Sequence, residues 1–124
     1  MTKHLTMNEE DYLEAILNIS LEKGYAKSKD VSSELCITPS SVTEMFVKLS
    51  KKGLLHYRKY EGVSLTPEGK EIAQAVKGRH DVLVGFLKTL GVPDDVAEKD
   101  GCFMEHELSA VTIEKIKAFT KSQK

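Results

Sequence analysis

The chain has 124 residues, of which 40% are hydrophobic and 30% charged, the composition of an ordinary soluble protein with one compact domain or two small pieces sharing a core. A formal net charge of −1 excludes an indiscriminate polyanion binder, though not a protein whose charges are segregated. No apolar run approaches membrane-spanning length and nothing resembles a signal peptide. Two cysteines without framework spacing, Cys36 and Cys102, fit a reducing cytoplasm.

Thr6-Met7-Asn8-Glu9 has the Thr-x-x-Glu form of a capping box and predicts a helix running to about Leu21. Tyr12, Leu13, Ile16, Leu17 and Ile19 make its apolar side. Asp11 and Glu14 are three residues apart and share a face opposite the apolar one, which on its own reads as a solvated acidic stripe. Gly24 ends this helix. A short helix over 29–36 follows, with Cys36 expected as a small core residue beside Val31, Leu35 and Ile37. After a turn at Ile37-Thr38, a second helix spans 39–52, with Thr38 as N-cap and Pro39 at the first helical position. Val42, Met45, Phe46 and Leu49 form its apolar face, and Gly53 suits a left-handed stop. Two β-prone runs, 54–60 and 63–65, flank a hairpin turn at Glu61-Gly62.

Helix, turn, helix, hairpin is the outline of a winged helix-turn-helix, whose second helix enters the DNA major groove. Charge separates this from a generic helical pair with a solvated face. Residues 45–60 hold five basic side chains (Lys48, Lys51, Lys52, Arg58, Lys59) and no acid, with Tyr57 and Tyr60 interleaved near the hairpin tip. Such groups contact phosphates. The candidate DNA face is Thr38, Pro39, Ser40, Ser41, Thr43, Glu44, Lys48 and Lys51 on the helix, with Arg58, Lys59 and Tyr60 on the wing.

Thr66-Pro67 opens a long helix to about Leu90, stopped by Gly91, with Ile72, Val76, Leu83, Phe86, Leu87 and Leu90 on its buried side. Gly78 and Gly85 within it suggest close packing. It carries His80 between Arg79 and Asp81. Val92-Pro93-Asp94 opens a further helix to about Leu108. Ser109 caps a last one through Phe119, with Val111, Ile113, Ile116 and Phe119 apolar and a frayed polar tail over 120–124. The stretch Asp94–Glu107 holds six acids against Lys99 alone, either solvated surface or a cation site.

Cys102-Phe103-Met104-Glu105-His106 carries the distinctive chemistry. On a helix, Cys102, Glu105 and His106 fall at i, i+3 and i+4 and share one face, while Phe103, Met104 and Leu108 point away. Thiolate, carboxylate and imidazole are a transition-metal ligand set, and Asp11, Glu14 and His80 are the further donors in the chain. There is no phosphate-binding glycine loop and no nucleophile elbow.

Four segments, Glu10-Asp11-Tyr12-Leu13-Glu14, Thr38-Pro39-Ser40-Ser41-Val42-Thr43, Arg79-His80 and Cys102…Glu105-His106, resemble the diphtheria-toxin-repressor family of iron- or manganese-dependent transcriptional repressors. The resemblance runs from about Met7 to Phe119 and implies a mainly α fold with a small β-hairpin wing. It implies a winged helix-turn-helix DNA-binding domain over 1–70, a helical metal-binding and dimerisation domain over 71–124, and a metal bound between them. It also implies the short form, without the SH3-like domain of the iron branch. Asp11, Glu14, His80, Glu105 and His106 match the manganese branch's ligands, whereas Cys102 matches the iron branch. The iron branch's second site lacks two donors here, at Val84 and Glu98. A thiolate tilts the expected metal toward Fe(II) over Mn(II). The resemblance further implies a homodimer, double-stranded DNA with a palindromic operator as partner, and no organic substrate. The dimer is expected through Leu83, Phe86, Leu87, Ile113 and Ile116. The rival readings are a winged-helix regulator not gated by metal, and a small metalloenzyme using Glu105 as base.

Overall fold

The computed structural model describes residues 5–123. Its elements are α1 (Met7–Lys23), α2 (Ser28–Leu35), α3 (Pro39–Lys51), β1 (Leu55–Arg58), β2 (Gly62–Leu65), α4 (Pro67–Thr89), α5 (Asp94–Glu107) and α6 (Ala110–Ser122). They divide into two units, Met1–Gln74 and Ala75–Lys124, with the division falling inside α4.

Local chemistry sets the ends of the first unit's helices. The Thr6 hydroxyl accepts from the Glu9 N–H at 3.1 Å, and Glu9 accepts from the Thr6 N–H at 3.0 Å, closing the capping box of α1. Gly24 ends α1 at φ 84°. Asp30 accepts from the Lys27 N–H at the start of α2 and from Lys23 Nζ. Cys36 ends α2 in the left-handed region at φ 57° and is exposed, so it is a helix stop and not the core residue expected. On α3, Thr38 caps through the Ser41 N–H, and Gly53 follows the helix at φ 78°.

Tyr12, Leu13, Ile16, Val31, Val42, Phe46, Leu49, Leu54 and Val63 form one continuous core of the first unit. Burying each large aliphatic or aromatic side chain contributes roughly 1.5–3 kcal/mol. The wing is an antiparallel pair with Leu55 opposite Leu65 and Arg58 opposite Gly62. Its loop is therefore Lys59-Tyr60-Glu61, with Tyr60 left-handed at φ 71°, and not the two-residue Glu61-Gly62 turn expected. Gly62 instead opens β2. A Cβ there would meet the Ala26 carbonyl oxygen at 2.5 Å, because Ala26 bridges to Val63 on the same edge.

The Thr66 hydroxyl donates to the Gly53 carbonyl at 2.7 Å and accepts from the Gly69 N–H, tying the start of α4 to the end of α3. Gly69 lies so close to Leu54 that a Cβ would meet its carbonyl oxygen at 2.0 Å.

In the second unit, Val76, Leu83, Val84, Ala97 and Ile113 are buried. Phe86 meets Phe119 edge to face at 6.2 Å. The close approach expected at Gly78 and Gly85 is absent among the described residues, where a Cβ would meet nothing within 4 Å. It occurs at Gly101, where a Cβ would stand 2.6 Å from Val84 Cγ2, so α5 crosses α4 at that glycine. Leu90 is exposed, not buried as expected. The Ser109 hydroxyl accepts from the Thr112 N–H, and α6 continues through Ser122, beyond the stop expected at Phe119. Lys124 lies outside the described residues. No helix among them is long and apolar enough to cross a membrane.

Candidate metal centre and nucleic-acid interface

On α5 the helical period brings Cys102, Glu105 and His106 onto one face. A thiol sulfur, a carboxylate oxygen and a ring nitrogen from the three lie within 4.8 Å of one another. Glu105 Oε1 is 3.4 Å from His106 Nε2 and 3.7 Å from His80 Nδ1, which α4 supplies. Glu105 is 2% exposed, yet neither carboxylate oxygen has a hydrogen bond among the described residues. A buried carboxylate normally collects donors. Here the side chains pressed around it are two imidazoles and a thiol. All can ligate a cation, and neutral imidazole and thiolate are transition-metal ligands in their own right. The donor set therefore fits a divalent transition metal.

His80 is held from its other side, with Nε2 lying 2.9 Å from Glu98 Oε2. In the sequence Glu98 stands only as one of the six acids of 94–107 and in place of an iron-branch donor. The available signal was spacing, since Glu98 precedes Cys102 by four residues and lies on the same face of α5. Asp11 and Glu14 sit three residues apart on α1, in the first unit. Both are half-buried, which is more enclosed than a solvated stripe.

The candidate DNA face lies wholly in the first unit. Thr38, Pro39, Ser40, Ser41, Glu44, Lys48 and Lys51 are exposed along α3, and Thr43 is half-buried. The Thr43 hydroxyl donates to the Pro39 carbonyl at 3.1 Å, and the Thr38 hydroxyl to Ser41 Oγ at 3.0 Å. Arg58, Lys59 and Tyr60 are exposed at the wing tip. There Lys59 Nζ lies 5.3 Å from the Tyr60 ring centroid, and Arg58 lies 3.9 Å from Glu61.

Two residues of the basic stretch turn inward. Tyr57 packs edge to face on Phe46 at 5.9 Å and serves the core. Lys52 forms an ion pair with buried Glu9. Sequence reasoning also missed Lys27, Ser28 and Lys29. With Tyr57 and Tyr60 they line a groove of about 280 Å³ between the start of α2 and the wing.

A winged helix-turn-helix with an exposed basic face, joined to a helical unit whose thiol, carboxylate and imidazoles converge, defines a DNA-binding regulator with a metal-binding domain. The chain belongs to the iron-dependent repressor family. Residues 4–63 match its N-terminal DNA-binding domain and residues 66–124 its metal-binding and dimerisation domain. It is 42% identical over 111 residues to the HTH-type transcriptional regulator MntR of Geobacillus kaustophilus (strain HTA426), covering 90% of this chain and 79% of that one. To the MntR of Bacillus subtilis (strain 168) it is 41% identical over 111 residues, covering 90% and 78%. Among solved structures, the manganese regulator SloR superposes with a TM-score of 0.80 at 27% identity, covering 94% of this chain and 55% of SloR. The chain thus spans about half the length of that structure. The family is one of transcriptional repressors, so the metalloenzyme reading is set aside.

Proposed function

We propose that this chain is a cytoplasmic repressor that binds its operator when loaded with a divalent transition metal. Residues 1–70 form its DNA-binding part and 71–124 its metal-binding and dimerisation part. His80, Cys102, Glu105 and His106 hold the cation together with Asp11 and Glu14. The reading is carried by the buried Glu105 carboxylate, which among the described residues has no hydrogen bond and faces ring nitrogens at 3.4 and 3.7 Å.

A bound divalent cation supplies the positive charge that lets these carboxylates stand together. Without it, Asp11, Glu14 and Glu105 repel one another. Ligands drawn from both parts of the chain make metal affinity depend on their mutual arrangement, and that differential affinity favours the DNA-competent state. A coupling of about 1–3 kcal/mol is the usual size. On the DNA face, Lys48, Lys51, Arg58 and Lys59 contact phosphates, while Ser40 and Thr43 on α3 read base edges.

A homodimer places two α3 helices about 34 Å apart, or a multiple of that, and so calls for a palindromic operator. Its surface is drawn from Leu90, Phe103, Val111 and Phe119, which are exposed, and from half-buried Phe86, Leu87 and Ile116. Leu83 and Ile113, at 0% and 7% exposure, have little surface left to offer a partner.

The likeness to SloR, a manganese regulator, supports Mn(II), against the Fe(II) preference expected from Cys102. Cys102 remains the one feature of this chain that favours Fe(II). The test is to select duplexes from a randomised pool with the Mn(II)-loaded protein, then measure their affinity with Mn(II), with Fe(II) under anaerobic conditions, and with chelator. Metal-dependent binding is expected. Equal affinity in loaded and chelated protein overturns the proposal.

A further inference from the structure

We infer that Glu98 is a positioning residue for His80: it holds the imidazole proton on Nε2 and so presents the Nδ1 lone pair to the cation site. The inference rests on the reading that His80 is a metal ligand. Its observation is separate. α5 brings Glu98 Oε2 to 2.9 Å from His80 Nε2, while Nδ1 of the same ring lies 3.7 Å from Glu105 Oε1.

A carboxylate only accepts, so at hydrogen-bond distance the proton must sit on Nε2. A neutral imidazole then has its lone pair on Nδ1. Glu98 Oε2 and Glu105 Oε1 both face the ring. Glu105 is buried and, among the described residues, without a hydrogen bond, but at 3.7 Å its oxygen is beyond hydrogen-bond reach of Nδ1. A proton on Nδ1 would close the ring to a cation. Glu98 has the shorter contact and is half in water, with its side chain 57% exposed, so it accepts the proton at little desolvation cost. It also fixes the ring plane of a His80 side chain that is only 16% exposed. Metal-bound histidines are commonly oriented in this way by an outer carboxylate.

The experiment compares full-length wild type, Glu98→Gln, Glu98→Ala and His80→Ala. Two readouts are taken: the His80 tautomer in metal-free protein by long-range 1H–15N NMR in mildly alkaline buffer, and Mn(II) affinity by EPR titration. Glutamine keeps an acceptor for the Nε2 proton but loses the charge. Wild type and Glu98→Gln are expected to show the Nε2–H form. Glu98→Ala is expected to show the proton shared with or moved to Nδ1, and to bind Mn(II) about 10-fold more weakly, with Glu98→Gln within about threefold of wild type. A wild type protonated on Nδ1 overturns the inference, as does wild-type affinity in Glu98→Ala. So does an equal loss in Glu98→Gln and Glu98→Ala, which would make Glu98 an anionic ligand. If His80→Ala binds Mn(II) like wild type, the ligand reading of His80 falls. If His80→Ala weakens binding and Glu98→Ala does not, only the positioning role falls.

Discussion

Among the described residues, the two buried charged side chains are both glutamates, one in each unit: Glu9 at 1% exposure and Glu105 at 2%. Their surroundings are opposite. Glu9 accepts from the Thr6 N–H and pairs with Lys52, at the other end of the helix-turn-helix. Burial opposes its ionisation, but the hydrogen bonds from Lys52 and Thr6 and the Lys52 charge outweigh that and hold its carboxyl below the ordinary 4.5. Glu105 has no hydrogen bond, and two imidazoles and a thiol crowd it. A buried acid that is paired fixes a fold, here α1 against the end of α3. A buried acid left open costs stability and marks a place where a cation completes the arrangement.

The sharpest way to break this comparison is to remove each glutamate's special property. Glu105→Gln should lower Mn(II) affinity by at least about 100-fold, by EPR titration, since losing a ligand should exceed what outer-shell changes do. Its metal-free stability to urea should stay level or rise, because a neutral amide is cheaper to bury than a carboxylate that lacks hydrogen bonds. Unchanged Mn(II) affinity would place Glu105 outside the ligand set.

Lys52→Met should act in the reverse sense. It should destabilise the fold by about 2 kcal/mol, the scale of a lost hydrogen bond to a charged group. It should also change the acid response. Glu9 is depressed in the folded state, so its contribution is fully present above pH 4.5 and is lost as pH falls through the folded value. Asp30 is depressed as well, by its hydrogen bond from Lys23 and despite some burial, and works in the same direction. Wild type should therefore lose stability on acidification below 4.5, and Lys52→Met should lose less over the same window. Parallel acid curves would mean that Lys52 does not stabilise the Glu9 charge.

The smallest effects compare two glycines of the second unit. Gly101→Ala should cost about 1–2 kcal/mol, since the added carbon runs into Val84 where α5 crosses α4. Gly78→Ala meets open space on a helix and should add up to about 1 kcal/mol. Melting temperatures that move the same way in both variants would show that the crossing at Gly101 is looser than its geometry implies.

Much of this was legible in the residues. The capping box at Thr6, the Thr38-Pro39 start, the glycine stops and the apolar periods of α1 and α3 define helices because each signal acts within one turn of the chain. The i, i+3, i+4 grouping of Cys102, Glu105 and His106 is equally local, since any helix through them makes them neighbours. Other features needed the packed chain. Cys36 looks like a core residue in sequence but is an exposed left-handed stop. Tyr57 and Lys52 belong to a basic stretch by sequence, yet turn to Phe46 and Glu9. The pairing of Glu98 with His80 spans 18 residues and joins two helices. That of Lys52 with Glu9 spans 43. Which donor a buried carboxylate finds depends on the crossing of helices far apart in the chain. That crossing is set by side-chain volume, as where Gly101 meets Val84, a quantity that no local period encodes.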